Sequence, residues 1–215
     1  MKCRYCHKEC NRAGKQKNGR QKYHCQQCRK YQQEKYAYKA YSLTIETDII
    51  RHLKRGNGIR DIGYLLKISN TTVIRKIRQI AVTLKSNFKG RRGLTYEMDE
   101  LCVNMKGNLW VIYAIAKYNR QVVDIVIGSR TKECLKPVVD KVLIHDPKRI
   151  YTDGLNSYPG LIEQHIHKPG RYLTNRIERL NLTLRTHLKR LCRKTICYTK
   201  KVDMLEACVK IYFWS

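Results

Sequence analysis

Two sets of side chains are placed for chemistry. Four cysteines form two Cys-x2-Cys pairs, Cys3 with Cys6 and Cys25 with Cys28, and 18 residues separate the pairs. Paired thiolates joined by a hairpin of that length, with turn formers Gly14, Asn18 and Gly19, make a tetrahedral site suited to Zn2+. Cys10, His7 and His24 are spare donors nearby. Residues 1–40 carry twelve Lys or Arg against Glu9 and Glu34 and have few aliphatic side chains, so metal rather than burial is expected to hold them.

The second set is acidic, and acids are scarce: 17 Asp plus Glu against 45 Lys plus Arg. Asp99 lies within Tyr96-Glu97-Met98-Asp99-Glu100-Leu101-Cys102-Val103 and shares a strand face with Leu101, Val103 and Met105, which points it toward buried surroundings. A lone carboxylate there is costly unless it is paired or bound to metal. Asp153 closes the short apolar run Ile150-Tyr151-Thr152 and precedes Gly154, at a strand end of the kind where α/β sheets hold ligands. Glu178 flanks the stripe Ile177, Leu180, Leu184, Leu188, Leu191 on a helix expected over 171–193, with Arg185 and Lys189 returning to nearly the same direction. Three converging carboxylates would bind two hard cations such as Mg2+ or Mn2+, and Arg185 and Lys189 would hold phosphates beside them. Each acid alone also suits an ordinary turn, cap or surface role. Glu97, Glu100, Asp124, Asp140, Asp146 and Glu163 compete for the positions, and spacing by itself leaves Glu97 and Glu100 in contention.

These groups need elements to position them. Leu43, Ile45, Ile49, Ile50 and Leu53 repeat at helical spacing and stop at Gly56-Asn57-Gly58. Ile59, Ile62, Leu65 and Leu66 give a second short helix, and Lys67-Ile68-Ser69 a turn. A third helix, capped by Ser69 or Asn70, carries Val73, Ile74, Ile77, Ile80 and Ala81. That is the helix-turn-helix pattern, with Thr71, Thr72, Arg75, Lys76 and Arg78 on its last helix as candidate DNA contacts. A three-helix bundle with a solvated basic face has the same periodicity. Beyond a basic linker the pattern alternates. Strands are expected over 94–105, 108–117 and 121–128 with a turn at Lys106-Gly107, then a helix over 131–143 and a strand over 149–152.

The expected organisation is therefore multidomain: a zinc ribbon (1–40), an all-α helix-turn-helix domain (41–85), a linker (86–93) and an α/β catalytic domain (94–215). A formal charge of +28 makes double-stranded DNA the natural partner and makes an enzyme of small acidic metabolites a poor fit. Hydrophobic residues make up 42%, too many for a disordered basic tail. Met1-Lys2-Cys3-Arg4 leads into charge rather than an apolar signal segment, and no run is long enough to span a bilayer, so a soluble intracellular protein with reduced thiols and no membrane partner is expected.

The run Thr174-Asn175-Arg176-Ile177-Glu178-Arg179-Leu180-Asn181-Leu182-Thr183-Leu184-Arg185, continuing to Arg193-Lys194-Thr195-Ile196-Cys197, resembles the signature helix of DDE transposases of the insertion-sequence-one family. Lys17 to Cys28 resembles the family's N-terminal zinc finger, and Tyr151-Thr152-Asp153-Gly154 its second-acid context. Twenty-four residues separate Asp153 from Glu178, as in the family's pattern, and Asp99 matches the first acid. The resemblance covers nearly the whole chain. It implies a ribonuclease-H-like catalytic core, with Asp99, Asp153 and Glu178 as catalytic residues holding Mg2+ and Cys3, Cys6, Cys25 and Cys28 holding Zn2+. The implied enzyme binds the terminal inverted repeats of its own element, cleaves there and joins the 3′-ends to a target. Two element ends imply at least a homodimer, and the family implies a prokaryotic, cytoplasmic, nucleoid-associated setting. A DNA-binding regulator or inhibitor with an inactive core, and a nuclease or resolvase of the same fold, are the alternatives.

Overall fold

The computed structural model describes residues 1–34, 36, 38–103, 109–170, 172–192 and 201–215. The expected turn at Lys106-Gly107, and Arg193 to Cys197 of the signature run, lie outside the described residues.

Alternation in the second half of the chain is realised as one mixed sheet. Its strands are β4 (Thr95–Val103), β5 (Leu109–Ala116), β6 (Val122–Gly128), β7 (Arg149–Thr152) and β8 (His167–Pro169). They run in the order β6-β5-β4-β7-β8, antiparallel through β6, β5 and β4 and parallel from β4 to β7 to β8. β5 is buried at every residue from Val111 to Ala116, on both sides, which requires cover on both faces. One face carries α4 (Lys132–Leu143), whose Leu135, Val138, Val139 and Val142 pack with Tyr96, Met98, Ile112 and Ala114. The other carries α5 (Asn175–His187) and α6 (Val202–Trp214): Tyr113 reaches α5 through its hydroxyl and meets the Phe213 ring at 5.5 Å. The sheet is thus the middle of three layers.

The helical periodicity upstream becomes α1 (Ile45–Lys54), α2 (Ile59–Leu66) and α3 (Asn70–Thr83). Lys67, in the left-handed region at φ 53°, closes α2, and the Ser69 hydroxyl accepts the Thr72 N–H to start α3. α3 packs along α6, with Arg78 Nη2 paired to Asp203 Oδ2 at 2.8 Å. Compact packing divides the chain into Met1–Ile45 and Glu46–Ser215, so the three helices and the mixed sheet share one unit. Residues 85–90, inside and beside the expected linker, carry no helix or strand.

Met1–Ile45 holds a three-stranded antiparallel sheet of β1 (Asn11–Lys15), β2 (Gln21–His24) and β3 (Tyr31–Gln33). Among the described residues, buried Cys3, Cys10 and Cys25 form a cluster in its interior.

Two expectations shift. The helix expected over 171–193 ends at His187: Leu188 leaves helical geometry at φ −112°, ψ 86°, and a 3-10 turn follows over Lys189–Leu191. Lys189 therefore leaves the line of Glu178 and Arg185. β8, next to β7, has no counterpart in the alternation, because three residues are too few to show a period.

Candidate active site and thiol cluster

The cysteine site is assembled by two near-copies of one loop. The Cys3 N–H donates to the Lys8 carbonyl at 2.7 Å and the Cys25 N–H to the Lys30 carbonyl at 3.0 Å. Directly after each second cysteine, His7 and Arg29 take positive φ angles of 60° and 55°. The four Sγ atoms of Cys3, Cys6, Cys25 and Cys28 lie within 4.8 Å of one another, with Cys3–Cys28 at 3.5 Å and Cys6–Cys25 at 3.4 Å. Tetrahedral zinc with bonds of about 2.3 Å sets its sulfurs about 3.8 Å apart, so the donor set and its spacing fit the ion. Burial pushes the Cys3 thiol up, but N–H groups of Tyr5 and Cys6 and the neighbouring thiols outweigh it and bring it down to about 6. Of the spare donors, Cys10 is buried beside the cluster and accepts from Gln32 Nε2 at 3.0 Å, whereas His24 packs against the Tyr31 ring.

The acidic site follows from strand register. β4 and β7 pair in parallel as Thr95 with Arg149, Tyr96 with Ile150 and Glu97 with Tyr151; continued by two residues, the same offset sets Asp99 level with Asp153. Alternation along β4 sends Asp99 toward α5 and Glu100 toward the α4 side. The Asn181 amide of α5 donates to Asp99 Oδ2 at 2.6 Å, and the buried Tyr113 hydroxyl donates to Asn181 Oδ1 at 2.6 Å. On the other side Glu100 accepts the Tyr158 hydroxyl on Oε1 and Arg130 Nε on Oε2 at 2.8 Å. Arg130 Nη2 also reaches Asp153 Oδ2 at 3.0 Å, and Asp153 Oδ1 accepts the Leu155 N–H.

Carboxylate oxygens of Asp99, Glu100 and Asp153 come within 4.8 Å of one another. Crowding like charges in a half-buried place disfavours ionisation. Burial, with the charges of Glu100 and Asp153, pushes the Asp99 carboxyl up to about 7 against the lowering effect of the Glu100 N–H and the Asn181 amide. Burial also raises Glu100, opposed by its bonds from Tyr158 and Arg130. A divalent cation would relieve this repulsion with oxygen ligands, which is what the donor set offers.

Glu178 stands outside this group of three. It is exposed in the first turn of α5, where its Oε1 accepts the Thr174 hydroxyl at 3.0 Å. It lies three residues before Asn181, on the stretch of α5 that crosses β4. Glu97, a competitor in the sequence, accepts the N–H groups of Arg176 and Ile177 on Oε2 at 3.0 Å each, which fixes the start of α5.

The other candidate contacts divide. Thr71 and Arg75 are exposed on α3. Thr72 is buried and its hydroxyl bonds to Ser69; Lys76 is tied to Glu46 at 2.7 Å, and Arg78 to Asp203. Arg185 donates to the carbonyls of Leu191 and Cys102 and so fastens the turn after α5 to β4. Arg130, Asn181 and Tyr158 are site residues that the sequence does not single out. Asn181, one turn past Glu178, carries a spacing signal; Arg130 and Tyr158 carry none.

The family described as IS1 transposase matches residues 94–214. The insertion element iso-IS1n protein InsB of Shigella dysenteriae is 35% identical over 97 residues, covering 45% of this chain and 74% of that protein. The insertion element IS1 9 protein InsB of Escherichia coli (strain K12) is 31% identical over 144 residues, covering 66% of this chain and 86% of that protein. Among solved structures, a chain of a simian T-cell lymphotropic virus intasome bound to a PP2A regulatory subunit overlaps 78% of this chain and 65% of its own at 9% identity, with a TM-score of 0.39, too slight a likeness to bear on fold or function. The match over 94–214 spans more than half of the residues, and the Escherichia coli relative aligns over most of its own length: the chain belongs to the IS1 transposase family.

Proposed function

We propose that this transposase works by DDE-type polynucleotidyl transfer: it binds the terminal repeats of its element, cleaves a strand there and joins the exposed 3′-hydroxyl to target DNA. The observation that carries the reading is the meeting of Asp99, midway along β4, with Asp153, directly after the end of β7. Asp99 and Asp153 would hold divalent cation, Mg2+ or Mn2+, which when bound activates the attacking oxygen and stabilises charge on the leaving one. Asn181, backed by Tyr113, keeps Asp99 turned into the site. Glu178 completes the triad in this reading. Glu100 is the nearer carboxylate, but both of its oxygens are engaged by Tyr158 and Arg130.

The remaining parts would deliver DNA to this site. Zn2+ on Cys3, Cys6, Cys25 and Cys28 would make Met1–Ile45 a zinc ribbon, and α1 to α3 would act as a helix-turn-helix whose exposed Thr71 and Arg75 meet the duplex. Sheet and helices together would form the ribonuclease-H-like core of a protein acting on DNA within the prokaryotic cytoplasm. Handling two ends calls for at least two protomers. The test is strand transfer from labelled element ends in Mg2+ and in EDTA: joined product only with the metal is expected, and cleavage without joining would make the protein a nuclease.

A further inference from the structure

Arg130, in the loop between β6 and α4, is the best-held cation at the acidic site. Its Nε donates to Glu100 at 2.8 Å, its Nη2 donates to Asp153 at 3.0 Å, and its guanidinium carbon stands 4.7 Å from the Trp110 ring centroid. The Glu100 side chain is 0% exposed, and the buried Tyr158 hydroxyl donates to its other oxygen, so the anion that fixes Nε is itself held at both oxygens. Those two bonds use two of the five N–H donors of a guanidinium. Nη1 has no acceptor among the described residues, and the side chain keeps 33% exposure. A counter-ion serving only Glu100 would need neither the second bond nor the opening to solvent.

We infer that Arg130 is a substrate-contact residue that binds a non-bridging oxygen of the phosphodiester at the cleaved position, with Glu100 and Tyr158 as its buried anchor rather than as metal ligands. The inference rests on the reading of Asp99 and Asp153 as the acids of the reaction. A rigid, planar, forked donor suits a phosphate better than a mobile ammonium does, and it needs no reordering as negative charge grows on the phosphate oxygens.

The test compares full-length protein with Arg130→Gln on two duplexes of the element end, one ordinary and one with a single uncharged methylphosphonate at the cleaved position. Binding is read in Ca2+, which takes the same kind of oxygen ligands. Arg130→Gln is expected to weaken binding to the ordinary duplex about tenfold, as for a hydrogen bond to a charged group. Binding to the methylphosphonate duplex should be unchanged, and cleavage of the ordinary duplex in Mg2+ should slow about a hundredfold. Arg130→Lys, which keeps a charge beside Glu100, should show the same dependence on the modified phosphate to a smaller degree and covers the case in which the Gln variant does not fold. Equal loss on both duplexes, or binding and cleavage within twofold of the parent, would overturn the inference. Asp153→Asn separates the two readings: if it gives no product while Arg130→Gln cleaves normally, only the role of Arg130 fails, whereas product from Asp153→Asn removes the acid site itself.

Discussion

Asp99 shows how one residue can be uncomfortable alone and useful with a partner. Its carboxyl is raised to about 7 from an ordinary 3.8, so between those values the folded protein holds a proton that the unfolded chain has released. Stability from this group is full below the unfolded value and falls as pH rises through the folded one. Denaturant titrations should therefore find wild type losing more stability than Asp99→Asn between pH 5 and pH 8 without divalent metal. An identical pH response in the two would contradict the raised carboxyl. The same proton competes with cation, so affinity for Mg2+, read by calorimetry, should rise with pH through about 7. Asp99 and Asp153 stand out in sequence because the first shares a strand face with Leu101 and Val103 and the second closes the short run Ile150-Tyr151-Thr152. The bridge from Arg130 to Glu100 is not: one Arg among 45 Lys plus Arg carries no signal, and the two residues are 30 positions apart.

At the scale of elements, what matters is how α5 is laid against β4. Glu97 accepts the first N–H groups of α5, Asn181 reaches Asp99 one turn later, and Arg185 ties the following turn to the Cys102 carbonyl. Glu97→Ala removes a buried acceptor from two backbone N–H groups and should cost about 2 kcal/mol or more, read by chemical denaturation. A change below about 0.5 kcal/mol would mean that α5 is held by its apolar stripe alone. On α3, Arg75 is exposed while Arg78 is spent on Asp203, so Arg75→Ala should weaken binding to element ends and Arg78→Ala should leave it within about twofold. The reverse order in a binding assay would place the opposite face of α3 on DNA. The strand alternation and the helix stripes are legible because each has a period. The end of α5 at Leu188 is not, since the apolar spacing of Leu184, Leu188 and Leu191 runs straight through it while the backbone turns.

Across the whole molecule the two compact units are held by different physics. Glu46–Ser215 has a sheet covered on both faces, and the cluster of buried residues described in Met1–Ile45 is one of thiols. A zinc-selective chelator should expose four reactive thiols and unfold Met1–Ile45 while the mixed sheet persists in circular dichroism. Thiols that stay protected after chelation would show that the cluster stands without metal. The Cys-x2-Cys pairs announce this in sequence, because ligand spacing is local. The grouping of Asp99 with Glu100 and Asp153 instead of Glu178 depends on register and packing that spacing does not encode. The central claim is metal-dependent joining by Asp99, Asp153 and Glu178, and strand transfer from labelled element ends tests it directly, with Asp99→Asn, Asp153→Asn and Glu178→Gln beside the parent. The account predicts joined product in Mg2+ from the parent, none in EDTA, and loss in all three variants while end binding is retained; product from Asp153→Asn, or joining in EDTA, would contradict it.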